Sequence, residues 1–272
     1  MFPSNWKKKT QVMGVINVTP DSFSDGGECL QSSNVLEKAI EFVNHGVDLI
    51  DIGAQSTRPG AIEIDNDEEL KRLIPCLKII RNHNINKIIS VDTFSSKVAY
   101  EALIHGANWI NDISGGRIDK DILKVASEFS CPIVLTHSRG TSLNMDDLTF
   151  YKDFINDVIS ELNELTTQAL KFGINQNNII WDPGLGFAKN NNQNLLLLKN
   201  INKIKNQGFP LLIGASRKRF IGSLLDESTP KERDFGTLGI SSLCSYEQID
   251  IVRVHNVKAN VDLLKITDYF WR

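Results

Sequence analysis

Eight short, β-rich apolar runs alternate with longer segments of helical period along the 272 residues, and this alternation constrains the fold more than any other feature. The runs are Val12 to Asn17, Leu49 to Gly53, Ile88 to Asp92, Trp109 to Ser114, Ile133 to His137, Ile179 to Asp182, Leu211 to Ser216 and Ile251 to His255. A strand followed each time by a returning helix predicts a parallel sheet. Eight such units is the number that closes a (β/α)8 TIM barrel, for which about 250 residues suffice. An open doubly wound sheet is the rival arrangement. We expect an α/β chain with a single barrel domain over residues 11–272, preceded by an N-terminal extension of residues 1–10.

The segments between the runs carry helical stripes. Val35, Ala39, Ile40 and Val43 form one, and Phe154, Ile155, Val158, Ile159 and Leu162 form another within Tyr151 to Phe172. Val35 to Gly46 and Ser96 to Gly106 each stop at a glycine, a frequent helix terminator. The stretch Asn190 to Asn194 reads as a loop or a helix start.

The formal net charge is −3, with a pI near 6.0. Without a basic bias, nucleic acid and anionic membranes are poor candidates for the main partner, and any bound anion must be met by a local cluster. No apolar run approaches the ~20 residues that span a bilayer. The four cysteines, Cys29, Cys76, Cys131 and Cys244, are isolated in sequence, which fits a reducing compartment. The first nine residues lack the apolar stretch of a secretory signal. A cytoplasmic enzyme is the expectation. Neither a Gly-x-Gly-x-x-Gly signature nor a phosphate-cradling Gly-x4-Gly-Lys-Ser/Thr loop is present.

Polar residues gather where the runs end: Asn17; Ser56 to Gly60; Asp92; Asn111 and Asp112; His137; Asp182; Ser216 to Lys218; and Arg253, His255 and Asn256. Barrel closure brings all of these to one rim, the usual place for a barrel active site. Any single strand-end aspartate could equally be a cap or a salt-bridge partner. Three features point to the ligand. Arg253, His255, Lys218 and Arg58 offer cationic or donor groups, so a phosphorylated anion is expected. Asp92, Asn111 and Asp182 could read the N–H edge of a flat heterocycle. The segments Val18 to Gly27 and Ala54 to Asp65 are long for βα connections and read as lids, with Phe23 and Pro59 near their tips. His45, His83 and His105 lie in helical segments and read as surface or packing residues. Asp48 and Asp51 do not form a metal pair, since one precedes its strand and the other lies within it.

Read as strings, these residues resemble the dihydropteroate synthase family. Met13-Gly14-Val15-Ile16-Asn17-Val18-Thr19-Pro20-Asp21-Ser22-Phe23-Ser24-Asp25-Gly26-Gly27 is similar to its first-strand signature, and Ser56-Thr57-Arg58-Pro59-Gly60 to its second. Val91-Asp92-Thr93, Asn111-Asp112-Ile113, Asp182-Pro183-Gly184, Ser216-Arg217-Lys218 and Arg253-Val254-His255 follow in family order. The resemblance implies condensation of a dihydropterin pyrophosphate with p-aminobenzoate, with sulfonamides as inhibitors. It implies that Asp92, Asn111, Asp182 and Lys218 hold the pterin. Asn17, Arg253 and His255 would bind pyrophosphate, with Mg²⁺ at Asn17. Phe23, Thr57, Arg58, Pro59, Phe187 and Lys218 would form the p-aminobenzoate site, and Asn17, Lys218, Arg253 and His255 would carry the chemistry. A homodimer is also implied. Three positions depart from the pattern: Gln55 where glutamate is common, Ser138 in place of a residue of a methionine-flanked histidine motif, and Arg219 where serine is common. A methyltetrahydrofolate-binding methyltransferase domain, or a catalytically silent pterin-binding subunit, would share the pterin residues. The first would not need the two lids or Arg253 with His255; the second would be marked by loss of Lys218, Arg253 or His255, and all three are present.

Overall fold

The computed structural model describes residues 2–19, 28–56 and 60–272. Its strands are β1 (Gln11–Asn17), β2 (Leu49–Gly53), β3 (Ile88–Asp92), β4 (Trp109–Asp112), β5 (Ile133–Thr136), β6 (Ile179–Asp182), β7 (Leu212–Ile213) and β8 (Ile251–Val254). The helices are α1 (Glu28–Asn44), α2 (Asn66–Asn82), α3 (Ser96–Ile104), α4 (Asp121–Glu128), α5 (Phe154–Lys171), α6 (Asn191–Lys199), α7 (Ile201–Lys205), α8 (Arg219–Leu225), α9 (Asp234–Tyr246) and α10 (Val257–Trp271). No described helix is long and apolar enough to cross a membrane.

The strands form one parallel sheet in the order β6-β5-β4-β3-β2-β1-β8-β7. The last edge closes through one bridge, Trp181 to Leu211, where the Trp181 N–H donates to the Pro210 carbonyl at 2.8 Å. The barrel therefore forms as expected, with a thin seam. Strand β7 is shorter than the run Leu211 to Ser216 suggests. Beyond Ile213 the chain leaves the sheet for a turn in which Lys218 N donates to Ala215 O and Arg217 adopts φ 60°.

Side chains alternate between the two faces of each strand, and the two sets meet different surroundings. Outward residues such as Ile50, Ile52, Ile89, Val91, Ile110, Leu135, Val252 and Val254 join the helices in the main core. Inward residues near the strand starts make a second apolar layer: Met13, Leu49, Trp109, Val134, Ile180, Leu212 and Ile251, with Ile88 packed against them. That layer takes one residue from each strand and fills the barrel floor. Phe2 and Trp6 cover it from below, with ring centroids 5.2 Å and 6.2 Å from that of Trp109.

Local signals set the helix ends. Asp65 caps α2 by accepting from Glu68 N, Ser95 caps α3, and Asn190 with Gln193 makes a reciprocal capping box that starts α6. Gly46 and Gly106 follow α1 and α3 with φ of 85° and 105°, a backbone shape that glycine adopts without strain. One expected contact differs. Ile40 is 41% exposed, whereas Phe42 is buried. Five residues on from Val35, Ile40 is rotated by about 140° around the helix, while Phe42, seven on, returns to the same face.

Candidate active site

Above the apolar floor, the next inward position is polar on six of the eight strands (Asp51, Ser90, Asn111, Thr136, Asp182 and Arg253; Val15 and Gly214 are the exceptions), and these side chains build the site. Asp51 and Ser90 are paired in register across β2 and β3; Gly53, Asp92 and Asn111 lie in register one level higher. Arg253, inward on β8, joins the two levels. Its Nε donates to Asp51 Oδ2 at 2.6 Å, and its Nη2 donates to Asp92 Oδ2. Asn111 Nδ2 donates to the same Asp51 oxygen at 3.1 Å. Asp51 is fully buried and Asp92 nearly so, yet Asp51 Oδ1, Asp92 Oδ1, Ser90 Oγ and Thr136 Oγ1 have no hydrogen-bond partner among the described residues. Buried acceptors left open in one layer are costly unless a ligand or water meets them. Gly53 keeps the layer compact, since a Cβ there would lie 3.1 Å from Asp92 Cβ.

Burial raises the Asp92 carboxyl above its ordinary range, and Arg253 opposes the shift. It raises Asp182 as well, against the Gly184 amide and the Lys218 charge. Lys218 is pushed down to about 8 by burial, with Asp182 opposing. Three inward carboxylates thus face two cations, and the layer favours a neutral ligand edge rich in N–H donors.

The loop after β6 completes the wall. Asp182 Oδ1 accepts from Gly184 N at 2.7 Å, and Lys218 Nζ sits 4.2 Å from the centre of the Phe187 ring, a cation–π contact. Gly184 has φ 72°, and an added Cβ would lie 1.9 Å from the His137 carbonyl oxygen. Gly184→Ala is therefore expected to destabilise the fold by at least about 2 kcal/mol and to displace Asp182. Urea unfolding measures the first effect; an unchanged midpoint would mean that the loop follows another path. At the end of β8, Ser216 Oγ fixes His255, lying 2.9 Å from its Nδ1 and accepting its main-chain N–H at 3.1 Å.

The fold thus brings Asp92, Asn111, Asp182, Lys218 and Arg253 into one polar layer and its wall, with Phe187 beside Lys218. Asn17 closes β1, in register with Gly53. Phe23, Thr57, Arg58 and Pro59 lie outside the described residues. Other strand-end polar residues have structural duties. Asp112 points outward from β4 and accepts from Ser114 N and Gly116 N. Arg217 turns away to a two-point contact with Asp234, and Asn256 caps α10. The residue that sequence reasoning missed is Asp51, which anchors both Arg253 and Asn111. Its signal was parity: Leu49, Asp51 and Gly53 share the inward face of β2.

A profile of the family described as pterin binding enzyme matches residues 13–255. Dihydropteroate synthase from Synechocystis sp. is 44% identical over 268 residues, covering 98% of this chain and 92% of that protein. The chain belongs to the dihydropteroate synthase family of pterin-binding enzymes. Two solved members of this synthase family superpose closely. The Clostridium difficile dihydropteroate synthase, crystallised in the presence of pteroic acid, has a TM-score of 0.93 and 37% identity over 100% of both chains. The Yersinia pestis dihydropteroate synthase, in complex with a sulfonamide drug, has a TM-score of 0.91 and 34% identity, covering 99% of this chain and 98% of that one. The chain's departures from the family pattern all have places in the structure. Gln55 is buried with its Oε1 unpartnered among the described residues, Ser138 Oγ donates to Ile113 O at 2.7 Å, and Arg219 reaches across to Asp146 at 2.7 Å.

Proposed function

We propose that the enzyme joins 6-hydroxymethyl-7,8-dihydropterin pyrophosphate to p-aminobenzoate, giving 7,8-dihydropteroate and pyrophosphate. The observation that carries this reading is the open-acceptor layer around Asp92 and Asp182, set beside Lys218, Arg253 and His255. Asp92, Asn111 and Asp182 take the N–H edge of the pterin, and Lys218 lies over its far side against Phe187. Arg253 is anchored by Asp51 and Asp92 through two of its five N–H groups, and the others reach the departing oxyanion with His255. The C–O bond to pyrophosphate breaks with its electron pair on oxygen. The methylene carbon left behind shares its positive charge with the pterin ring, which is flanked by carboxylates. The arylamine lone pair then forms the C–N bond, and its proton leaves to water or to pyrophosphate. An arylamine is already a free base at neutral pH, so the site needs no strong general base.

Mg²⁺ suits this scheme. No cluster of three or more His, Cys, Asp or Glu that could hold a metal occurs among the described residues, but Mg²⁺ retains several waters and binds through one or two protein groups plus substrate phosphates. Asn17, at the mouth end of β1, would supply one amide oxygen, and the bound ion would offset charge on the leaving pyrophosphate. A second copy of this chain is the partner we assign to the face of α9 and α10, where Phe235 is 85% exposed, Tyr269 86% and Phe270 70%. The cytoplasm is the proposed compartment.

Sulfonamides share the aniline ring of p-aminobenzoate and differ mainly at the acid group. The enzyme is therefore expected to be inhibited by them in competition with p-aminobenzoate. Substitution at Phe23 or Pro59 should weaken the drug more than the substrate, by about 1–3 kcal/mol per changed group. Inhibition curves for the wild type and Phe23→Leu at several p-aminobenzoate concentrations test this. Inhibition that p-aminobenzoate does not relieve would separate the two sites and remove the assignment.

A further inference from the structure

Lys189, behind Asp182, has no part in the scheme above. It ends the loop after β6 and is 5% exposed. A buried ammonium is costly unless its donors are met. Here Nζ lies 2.9 Å from His137 Nδ1, 3.0 Å from the Phe187 carbonyl and 3.4 Å from the His137 carbonyl. Three donors thus find three acceptors. An ammonium only donates, so His137 Nδ1 accepts and the ring proton sits on Nε2, 3.3 Å from Glu161. Burial, together with the Lys189 charge, holds His137 down to about 3, so the ring is neutral. Burial alone would raise Glu161, but the nearby His137 Nε2 and the hydrogen bonds from Arg139 bring it down to about 2. Arg139 lies over the Tyr151 ring at 3.8 Å, and Tyr151 Oη donates to the Ala188 carbonyl at 3.0 Å. This network ties α5 to the loop that carries Asp182 at one end and Phe187 near the other.

The same ammonium faces the site. The Cβ position of Gly184 lies 3.4 Å from Nζ; burial pushes Lys189 down to about 7, and Asp182 is the strongest charge opposing that shift, so the ammonium form prevails below neutral pH. We propose that Lys189 is a positioning residue for the pterin site: it clamps the turn after β6 through the Phe187 carbonyl and adds its charge, behind those of Lys218 and Arg253, to the field that favours Asp182 as a carboxylate acceptor. The proposal rests on the assignment of Asp182 to the pterin. The charged groups facing Lys189 are Asp182 on β6, Glu161 on α5, Arg139 in the loop after β5 and Lys218 after β7, with His137 neutral between Lys189 and Glu161.

The test compares wild type with Lys189→Gln, Lys189→Met and Lys189→Arg, each checked for folding, over pH 5.5 to 9. KM and kcat are measured separately for the pterin pyrophosphate and for p-aminobenzoate. Lys189→Gln keeps an N–H for Phe187 but loses the charge. It should move the acid limb of kcat/KM for the pterin to higher pH and raise that KM about tenfold at pH 6, where the wild-type lysine is charged. The p-aminobenzoate KM should change by less than about threefold. Lys189→Met should show both effects more strongly, and Lys189→Arg should leave the acid limb in place. An unmoved acid limb in folded Lys189→Gln, or equal loss for both substrates, overturns the proposal. Failure of all three variants to fold would make Lys189 a structural lysine and overturn it equally. Wild-type turnover, measured in parallel, tests the underlying functional reading on its own.

Discussion

Replacing Arg253 with alanine is expected to cost both turnover and stability, with a stability deficit that widens as pH rises. Arg253 is the only described partner of Asp92 Oδ2 and binds Asp51 through the oxygen that Asn111 also uses. Removing it leaves two buried carboxylates without their counter-charge, a change that typically costs about 3–5 kcal/mol. It also removes donors that the account assigns to the departing pyrophosphate, worth about 2–4 kcal/mol in the transition state. The pH dependence follows from Asp92. Burial already raises this carboxyl, and Arg253 is the main force pulling it back. Without Arg253 its folded value rises further above the unfolded value of about 4. A raised carboxyl contributes its stability below the unfolded value and loses it as pH rises through the folded one. Urea unfolding at pH 5 and pH 8 should therefore show the larger deficit at pH 8. Equal deficits at the two pH values would mean that Arg253 does not hold Asp92, and unchanged turnover would place the pyrophosphate elsewhere.

Asp182→Asn separates binding from folding more cleanly. The asparagine carbonyl can keep the bond from Gly184 N, while the other carboxylate oxygen becomes an NH₂ group. Where a carboxylate accepted ring N–H groups, donor would then face donor. Pterin affinity should fall by about 100-fold or more, roughly 3 kcal/mol. The fold should persist, with a smaller change in stability than in Arg253→Ala. Burial raises the Asp182 carboxyl, so its ionisation costs stability as pH climbs above about 4, and a neutral amide avoids that cost. Calorimetry with the pterin substrate and thermal unfolding at pH 7 measure the two effects. Wild-type affinity in a folded variant would remove the ring from Asp182.

The barrel was legible in the sequence because eight apolar runs and their intervening stripes repeat one physical unit. The site was legible at a coarser grain. Polar strand ends mark the rim, but only parity tells a site residue from a cap. Asn111 and Asp112 are adjacent; the first faces inward and meets Asp51, whereas the second faces outward and secures the loop after β4. Thr136 and His137 divide in the same way, with the histidine buried against Lys189 and Glu161. Asp51 could have been found by counting inward from Leu49. The partnership of Lys189, His137 and Glu161 could not, because it joins residues from β5, α5 and the loop after β6 that only tertiary packing brings together.

The central claim is tested most directly by supplying the purified enzyme with the dihydropterin pyrophosphate, p-aminobenzoate and Mg²⁺ and following pyrophosphate release. The account predicts steady release that requires both substrates and yields one 7,8-dihydropteroate per pyrophosphate. Release at the same rate without p-aminobenzoate, or no release with both substrates present, would contradict it.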